Sequence, residues 1–82
     1  MAEHDQRLVA LVLDVVSETL GEGRSLTPST PLLELPTCTS LAIATLVEQL
    51  EDRLQLEIAP ELIVPETFAT PMTIAAALGG AR

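Results

Sequence analysis

Residues 39–54 have the sequence TSLAIATLVEQLEDRL, and their pattern is the strongest indication of the fold. It opens with Thr39-Ser40-Leu41, directly after a proline-rich loop, and Thr39 is a residue type that caps helices with its side-chain oxygen. Apolar residues then recur at helical spacing, at Ile43, Leu46, Val47, Leu50 and Leu54. This spacing predicts an amphipathic helix from about Ser40 to Leu54 with one face in a core.

An earlier amphipathic helix is predicted from about Glu3 to Leu20. Its apolar residues recur at spacings of three and four, at Leu8, Leu11, Val12, Val15, Val16 and Leu20. Glu3 and Asp5 fall in the first turn, where the helix dipole favours negative charge. Gly21 and Gly23 follow the last apolar residue and predict the end of this helix.

Residues 24–38 form a long connection between the two helices. Three prolines exclude a continuous helix here, namely Pro28, Pro31 and Pro36. Three leucines are expected to pack the loop onto the bundle, namely Leu32, Leu33 and Leu35. An ordered connection longer than about 12 residues within a compact domain is often functional.

The remaining sequence predicts a short segment and a short last helix. Around Glu61–Phe68 we expect an irregular or single-turn segment, docked by Leu62, Ile63, Val64 and Phe68. Thr70-Pro71 is a typical helix start, and the last helix is expected to run to about Leu78. The predicted fold class is therefore all-α, a four-helix bundle with a long loop between helices 1 and 2 and a short third helix.

Composition narrows the class of partner. The chain has 82 residues, 48% of them hydrophobic and only one aromatic, which favours a single helical domain over residues 1–82. Its net charge of −8, with four Lys and Arg residues in total, argues against nucleic acid and against an anionic membrane surface. Such charge suits a protein that docks onto basic patches of its partners.

Single residues narrow the chemistry further. One cysteine, Cys38, excludes an internal disulfide. We expect no membrane span, and no signal peptide because Asp14 interrupts the apolar part of the first helix, so the expected location is the cytoplasm. One histidine, His4, and one cysteine do not make a metal site.

Ser40 is the candidate functional residue. Thr39 can cap the helix, which leaves the Ser40 hydroxyl in the first turn with its side chain free. A phosphodiester on this oxygen would face unpaired backbone N–H groups and the positive end of the helix dipole. Alternatively, Ser40 serves only as a cap. Leu41 lies off the apolar stripe, so it is either an exposed contact beside Ser40 or a residue packed under the loop.

These features together resemble the acyl and peptidyl carrier proteins, over roughly Leu8 to Leu78. The resemblance rests on a first helix ending in Leu20-Gly21, a long loop, and Ser40-Leu41 opening an acidic helix. Residues 50–58, LEDRLQLEI, and 65–71, PETFATP, are similar to later stretches of that family. The resemblance implies an acyl-carrier-protein-like bundle that is not an enzyme.

The resemblance also implies a cofactor and partners. Ser40 would carry 4′-phosphopantetheine, installed from coenzyme A by a phosphopantetheinyl transferase, whose thiol holds acyl, aminoacyl or peptidyl intermediates as thioesters. Loading and processing enzymes would be an adenylating enzyme, an acyltransferase or a ketosynthase, and the carrier is expected to be a monomer. The expected docking residues are Leu41, Thr45, Glu48, Glu51 and Asp52.

The chain departs from the family's pattern around Ser40. Thr39 stands where the family usually has Asp, and Cys38 where it often has Gly. Ala42 and Thr45 replace acids that fatty-acid-synthesis members tend to carry, which favours a specialised stand-alone carrier of secondary metabolism. Thr39 also keeps an alternative open, an unmodified helical interaction module that has lost the cofactor. A small hydrolase using Cys38 or Ser40 is not expected.

Overall fold

A computed structural model describes residues 6–80, and within that range the protein is helical with no strand. Its three α-helices are α1 (Gln6–Val16), α2 (Ser40–Leu54) and α3 (Pro71–Gly80). A π-helical turn, Ser17–Gly21, continues α1, and short 3-10 turns lie at Leu32–Glu34 and Pro60–Leu62. The all-α prediction is confirmed for the described residues, and the count of four helices is not.

The end of α1 differs in detail from the prediction. The helix continues through Gly21 as the π-turn, and the chain then reverses at Glu22 and Gly23, which have φ of 46° and 83°. Glycine tolerates this left-handed region best, yet the first residue to enter it is Glu22. The predicted start of this helix, with Glu3 and Asp5, lies outside the described residues.

The core is built around α1, which packs against both α2 and α3. The stripe from the first predicted helix is buried at Val12, Val15, Val16 and Leu20. The α2 stripe contributes Leu46 and Leu50 to the interior, while its other members pack partly buried against them, namely Ile43, Val47 and Leu54. Ile58, Phe68 and the α3 residues Ile74, Ala75 and Leu78 complete the core.

The segment before α3 consists of tight turns. Phe68 is buried as predicted, but Ile63 and Val64 are 43% and 38% exposed, so the expectation that these two dock was wrong. The turn hydrogen bonds from Thr67 N–H to Val64 O (3.0 Å) and from Phe68 N–H to Pro65 O (3.1 Å) explain the difference. They reverse the chain so that Phe68 faces the interior while Ile63 and Val64 remain outside.

The first loop is hydrogen-bonded to the chain leading into α3. Leu32 N–H donates to Ala69 O (2.8 Å), and Met72 N–H donates to Pro28 O (2.9 Å). Leu32 is fully buried, whereas Leu33 is 47% exposed, so the expectation that Leu33 packs inward was wrong. In a 3-10 turn successive side chains point about 120° apart, so adjacent leucines cannot share one face. The two backbone hydrogen bonds, to Ala69 O and to Pro28 O, bring the first loop and the 63–70 segment together beside the start of α2.

Candidate functional site

The start of α2 is capped as the sequence predicts. Thr39 is extended (φ −103°, ψ 169°), and its Oγ1 accepts a hydrogen bond from Ala42 N–H at 3.1 Å. Its carbonyl accepts the first intrahelical bond, from Ile43 N–H at 2.9 Å. Ser40 is therefore the first helical residue, and its own side chain is not needed as a cap.

Ser40 is exposed, and its hydroxyl has no hydrogen-bond partner among the described residues. The backbone N–H groups of Ser40 and Leu41 likewise have no acceptor within that part of the chain. Since α2 is 15 residues long, these N–H groups lie at the positive end of a substantial helix dipole. An exposed hydroxyl in this setting can carry an anionic group.

A shallow apolar groove of about 280 Å³ adjoins Ser40. Apart from Ser40 itself, the residues that line it are apolar: Leu33, Ile43, Ile63, Val64, Pro65 and Phe68. The sequence singled out Ser40 but not this groove, because its walls come from three separate segments of the chain. Hydrogen bonds between the first loop and the chain around the start of α3, together with packing of Leu32 and Phe68 in the core and of Ile43 against it, bring those segments to one place.

Leu41 is the most exposed of the large apolar residues, at 78%. This confirms that it does not pack under the loop. Thr45, one turn further along α2, is also exposed. Ser40, Leu41 and Thr45 therefore share the solvent-facing side of the first half of α2, where no charged residue occurs before Glu48.

The acidic residues belong to the second half of α2. Glu48 and Asp52 are exposed, and with Gln55, Leu56 and Glu57 they line a depression in the surface. Glu51 is half-buried, and its Oε2 accepts a hydrogen bond from Ile58 N–H at 2.9 Å. Arg53 does not neutralise this face, because its guanidinium pairs with Glu18 of the π-turn at 3.0 Å.

Cys38 does not lie in the surroundings that a reactive cysteine requires. Cys38 packs partly buried against the core, and burial raises the pKa of its thiol above the ordinary value. The thiol is therefore protonated at neutral pH, which is the opposite of what a nucleophilic cysteine requires. His4 lies outside the described residues, and no group of side chains among residues 6–79 could hold a metal ion.

One residue near the site was missed by sequence reasoning. Thr37 donates a hydrogen bond from Oγ1 to Leu20 O, at 2.6 Å, and so connects the end of the first loop to the π-turn that continues α1. Its partner is 17 residues earlier in the chain, so no local sequence pattern signals the contact.

The described residues form a small all-helical module with an exposed serine in the first turn of α2. A protein-family model described as a phosphopantetheine attachment site matches residues 10–78, and the chain belongs to this phosphopantetheine-binding family. No curated protein and no solved structure matches the chain. The family match agrees with the resemblance to acyl and peptidyl carrier proteins.

Family membership establishes the general role. Domains of this family attach 4′-phosphopantetheine covalently and are non-catalytic carriers. In general they interact with a phosphopantetheinyl transferase and with biosynthetic enzymes. Within residues 6–80 no helix has the length and apolarity needed to cross a bilayer.

Proposed function

We propose that Ser40 carries the 4′-phosphopantetheine arm and that the thiol of the arm holds acyl, aminoacyl or peptidyl intermediates as thioesters. The observation that supports this most strongly is the free, exposed Ser40 hydroxyl in the first turn of α2. Thr39 supplies the cap, so esterification of Ser40 sacrifices no hydrogen bond of the helix. The unpaired N–H groups of Ser40 and Leu41 favour an anionic phosphodiester there.

We also propose that partner enzymes dock on the solvent side of α2. Leu41 and Thr45 would form the contact closest to the arm, and Glu48 and Asp52 would meet basic side chains further along the helix. Glu51 belongs to the same face, but because one of its oxygens is already bonded to Ile58 N–H, we expect a smaller contribution from it. Weak docking of this kind permits release between successive enzymes.

The wider setting is part of the proposal. Residues 1–82 would act as one carrier domain, monomeric and cytoplasmic, and serve a pathway of secondary metabolism. The uncharged surroundings of Ser40 support a specialised partner set, because charged docking residues begin only at Glu48. The cargo would be set by the loading enzyme, either an adenylating enzyme or an acyltransferase, and a ketosynthase is a candidate processing partner.

The test is intact-mass measurement after incubation with coenzyme A and a broad-specificity phosphopantetheinyl transferase. Wild type is expected to gain the mass of one phosphopantetheine, and Ser40→Ala to gain none. Ser25→Ala is the matched control, because Ser25 is an exposed serine of the first loop and should leave modification unchanged. A wild type that never gains the mass would contradict the proposal and favour an unmodified interaction module.

A further inference from the structure

We propose that Thr37 is a positioning residue for Ser40. Its hydroxyl fixes the end of the first loop to the π-turn after α1, and this sets where the first turn of α2 presents the Ser40 hydroxyl to the transferase. The inference rests on the proposed function, because it takes Ser40 as the modified residue.

The acceptor of the Thr37 hydroxyl is a helix-terminal carbonyl that backbone bonds leave open. Leu20 is fully buried in the π-turn, and the chain turns into the left-handed region directly after it, at Glu22 and Gly23. The next available N–H, that of Arg24, donates to Gly21 O at 2.9 Å. The Thr37 hydroxyl supplies the bond to Leu20 O, at 2.6 Å. Without it, a carbonyl in a buried setting would lose its partner.

The same residue is bonded to the helix start that contains Ser40. Thr37 O accepts a hydrogen bond from Thr39 N–H at 3.0 Å, and Thr39 in turn caps α2 through Ala42 N–H. A continuous set of contacts therefore runs from the π-turn to the first turn of α2. Among the described residues, the Thr37 hydroxyl makes the one side-chain hydrogen bond that joins residues 36–39 to α1 or its π-turn.

The variant Thr37→Val removes the hydroxyl while keeping the shape of the side chain. We expect the kcat of the transferase with this carrier as substrate to fall about tenfold, because small displacements of a reacting atom have large effects on rate. KM should stay within about twofold of wild type, since the proposed docking residues are untouched. Thr37→Ser restores the donor and should return kcat to within about twofold of wild type.

A lower kcat with an unchanged KM distinguishes a positioning role from a loss of folded protein. A carrier that is only partly unfolded lowers the concentration of usable substrate, which raises the apparent KM and leaves kcat unchanged. Thr19→Val is the matched control, because Thr19 lies next to Leu20 in the π-turn and its hydroxyl makes no hydrogen bond in the described structure. It should leave both kinetic parameters at wild-type values.

Amide hydrogen exchange tests the effect of the Thr37–Leu20 hydrogen bond without the transferase. In Thr37→Val we expect faster exchange at the hydrogen-bonded amides of Cys38, Thr39 and Ala42, with the amides of α1 and α3 unchanged. The inference is overturned if the transferase modifies wild type and Thr37→Val with the same kcat, or if exchange at the amides of Cys38, Thr39 and Ala42 is unchanged. A wild type that accepts no arm at all would instead overturn the proposed function, and this inference with it.

Discussion

The two halves of α2 share one core face, through Leu46 and Leu50, but present different surfaces to solvent. The first half, from Ser40 to Val47, shows an exposed leucine, small side chains and a threonine, and carries no charge. The second half carries Glu48, Glu51 and Asp52, with Arg53 turned toward Glu18. The carboxylates of α2 are thus confined to its second half, on a chain of net charge −8.

This difference teaches how recognition can be divided along one helix. Apolar contact close to Ser40 depends on shape and is insensitive to salt, whereas the carboxylates further along attract a partner before contact is made. A partner that meets both halves would be steered by the second and aligned by the first.

The largest expected effect is on stability, and it distinguishes the buried face of the first half of α2 from its solvent-exposed face. Leu46→Ala removes a fully buried side chain and should lower the free energy of unfolding by about 2–5 kcal/mol. Leu41→Ala, on the same helix, should change it by no more than about 0.5 kcal/mol, because Leu41 is 78% exposed. Denaturant unfolding measures both, and equal losses would contradict the assignment of the two faces.

The second largest effect is expected on docking of the transferase to the carrier. Leu41→Ala should raise the transferase KM about tenfold with kcat little changed, because an apolar contact of about 1.4 kcal/mol is lost. The size of this effect should be the same at low and high salt. Met72→Ala, which truncates an exposed apolar residue of α3, serves as the control and should leave KM unchanged. An unchanged KM in Leu41→Ala would remove Leu41 from the docking surface.

Substitutions of Thr39 test how the start of α2 depends on a capping oxygen and on charge. Thr39→Ala removes the cap on Ala42 N–H and should lower the free energy of unfolding by about 1 kcal/mol. Thr39→Asp keeps a capping oxygen and adds negative charge at the positive end of the helix dipole. Its free energy of unfolding should therefore exceed that of Thr39→Ala by about 1 kcal/mol or more. Thermal unfolding of the three proteins distinguishes these outcomes, and equal melting temperatures would refute the cap.

The smallest effect is expected in the acidic half. The double variant Glu48→Gln/Asp52→Asn should lower kcat/KM of the transferase about threefold at low salt, through slower association. The effect should disappear at high ionic strength, where charges are screened beyond a few ångströms. Asp14→Asn/Glu22→Gln makes the same change in charge at exposed positions outside α2 and should have less effect. Equal effects from both pairs would show that only net charge matters.

Much of the arrangement around Ser40 could be predicted because its signals are local. The cap at Thr39 and the stripe ending at Leu54 placed α2 within the bounds that the structure shows. Thr70-Pro71 likewise placed the start of α3, where Thr70 Oγ1 accepts from Thr73 N–H at 3.1 Å. Side-chain capping and helical spacing act within a few residues, so the sequence displays them directly.

The remaining features depend on contacts between distant residues. Nothing near Thr37 shows that its hydroxyl meets Leu20 O, and nothing near Glu51 shows that its carboxylate accepts from Ile58 N–H. Leu32 and Leu33 are identical in type and adjacent, yet the 3-10 turn buries one and exposes the other. These outcomes follow from the path of the backbone through space, which composition and spacing do not encode.

The proposed function requires that the arm is attached to Ser40 itself, although a second hydroxyl on Thr39 and a thiol on Cys38 lie beside it in the chain. All four Lys and Arg residues are arginines, so cleavage after arginine releases residues 25–53 as one peptide that contains all three groups. Tandem mass spectrometry of this peptide from the modified protein locates the attachment. We predict one phosphopantetheine on Ser40, and attachment at any other residue would contradict the proposed function.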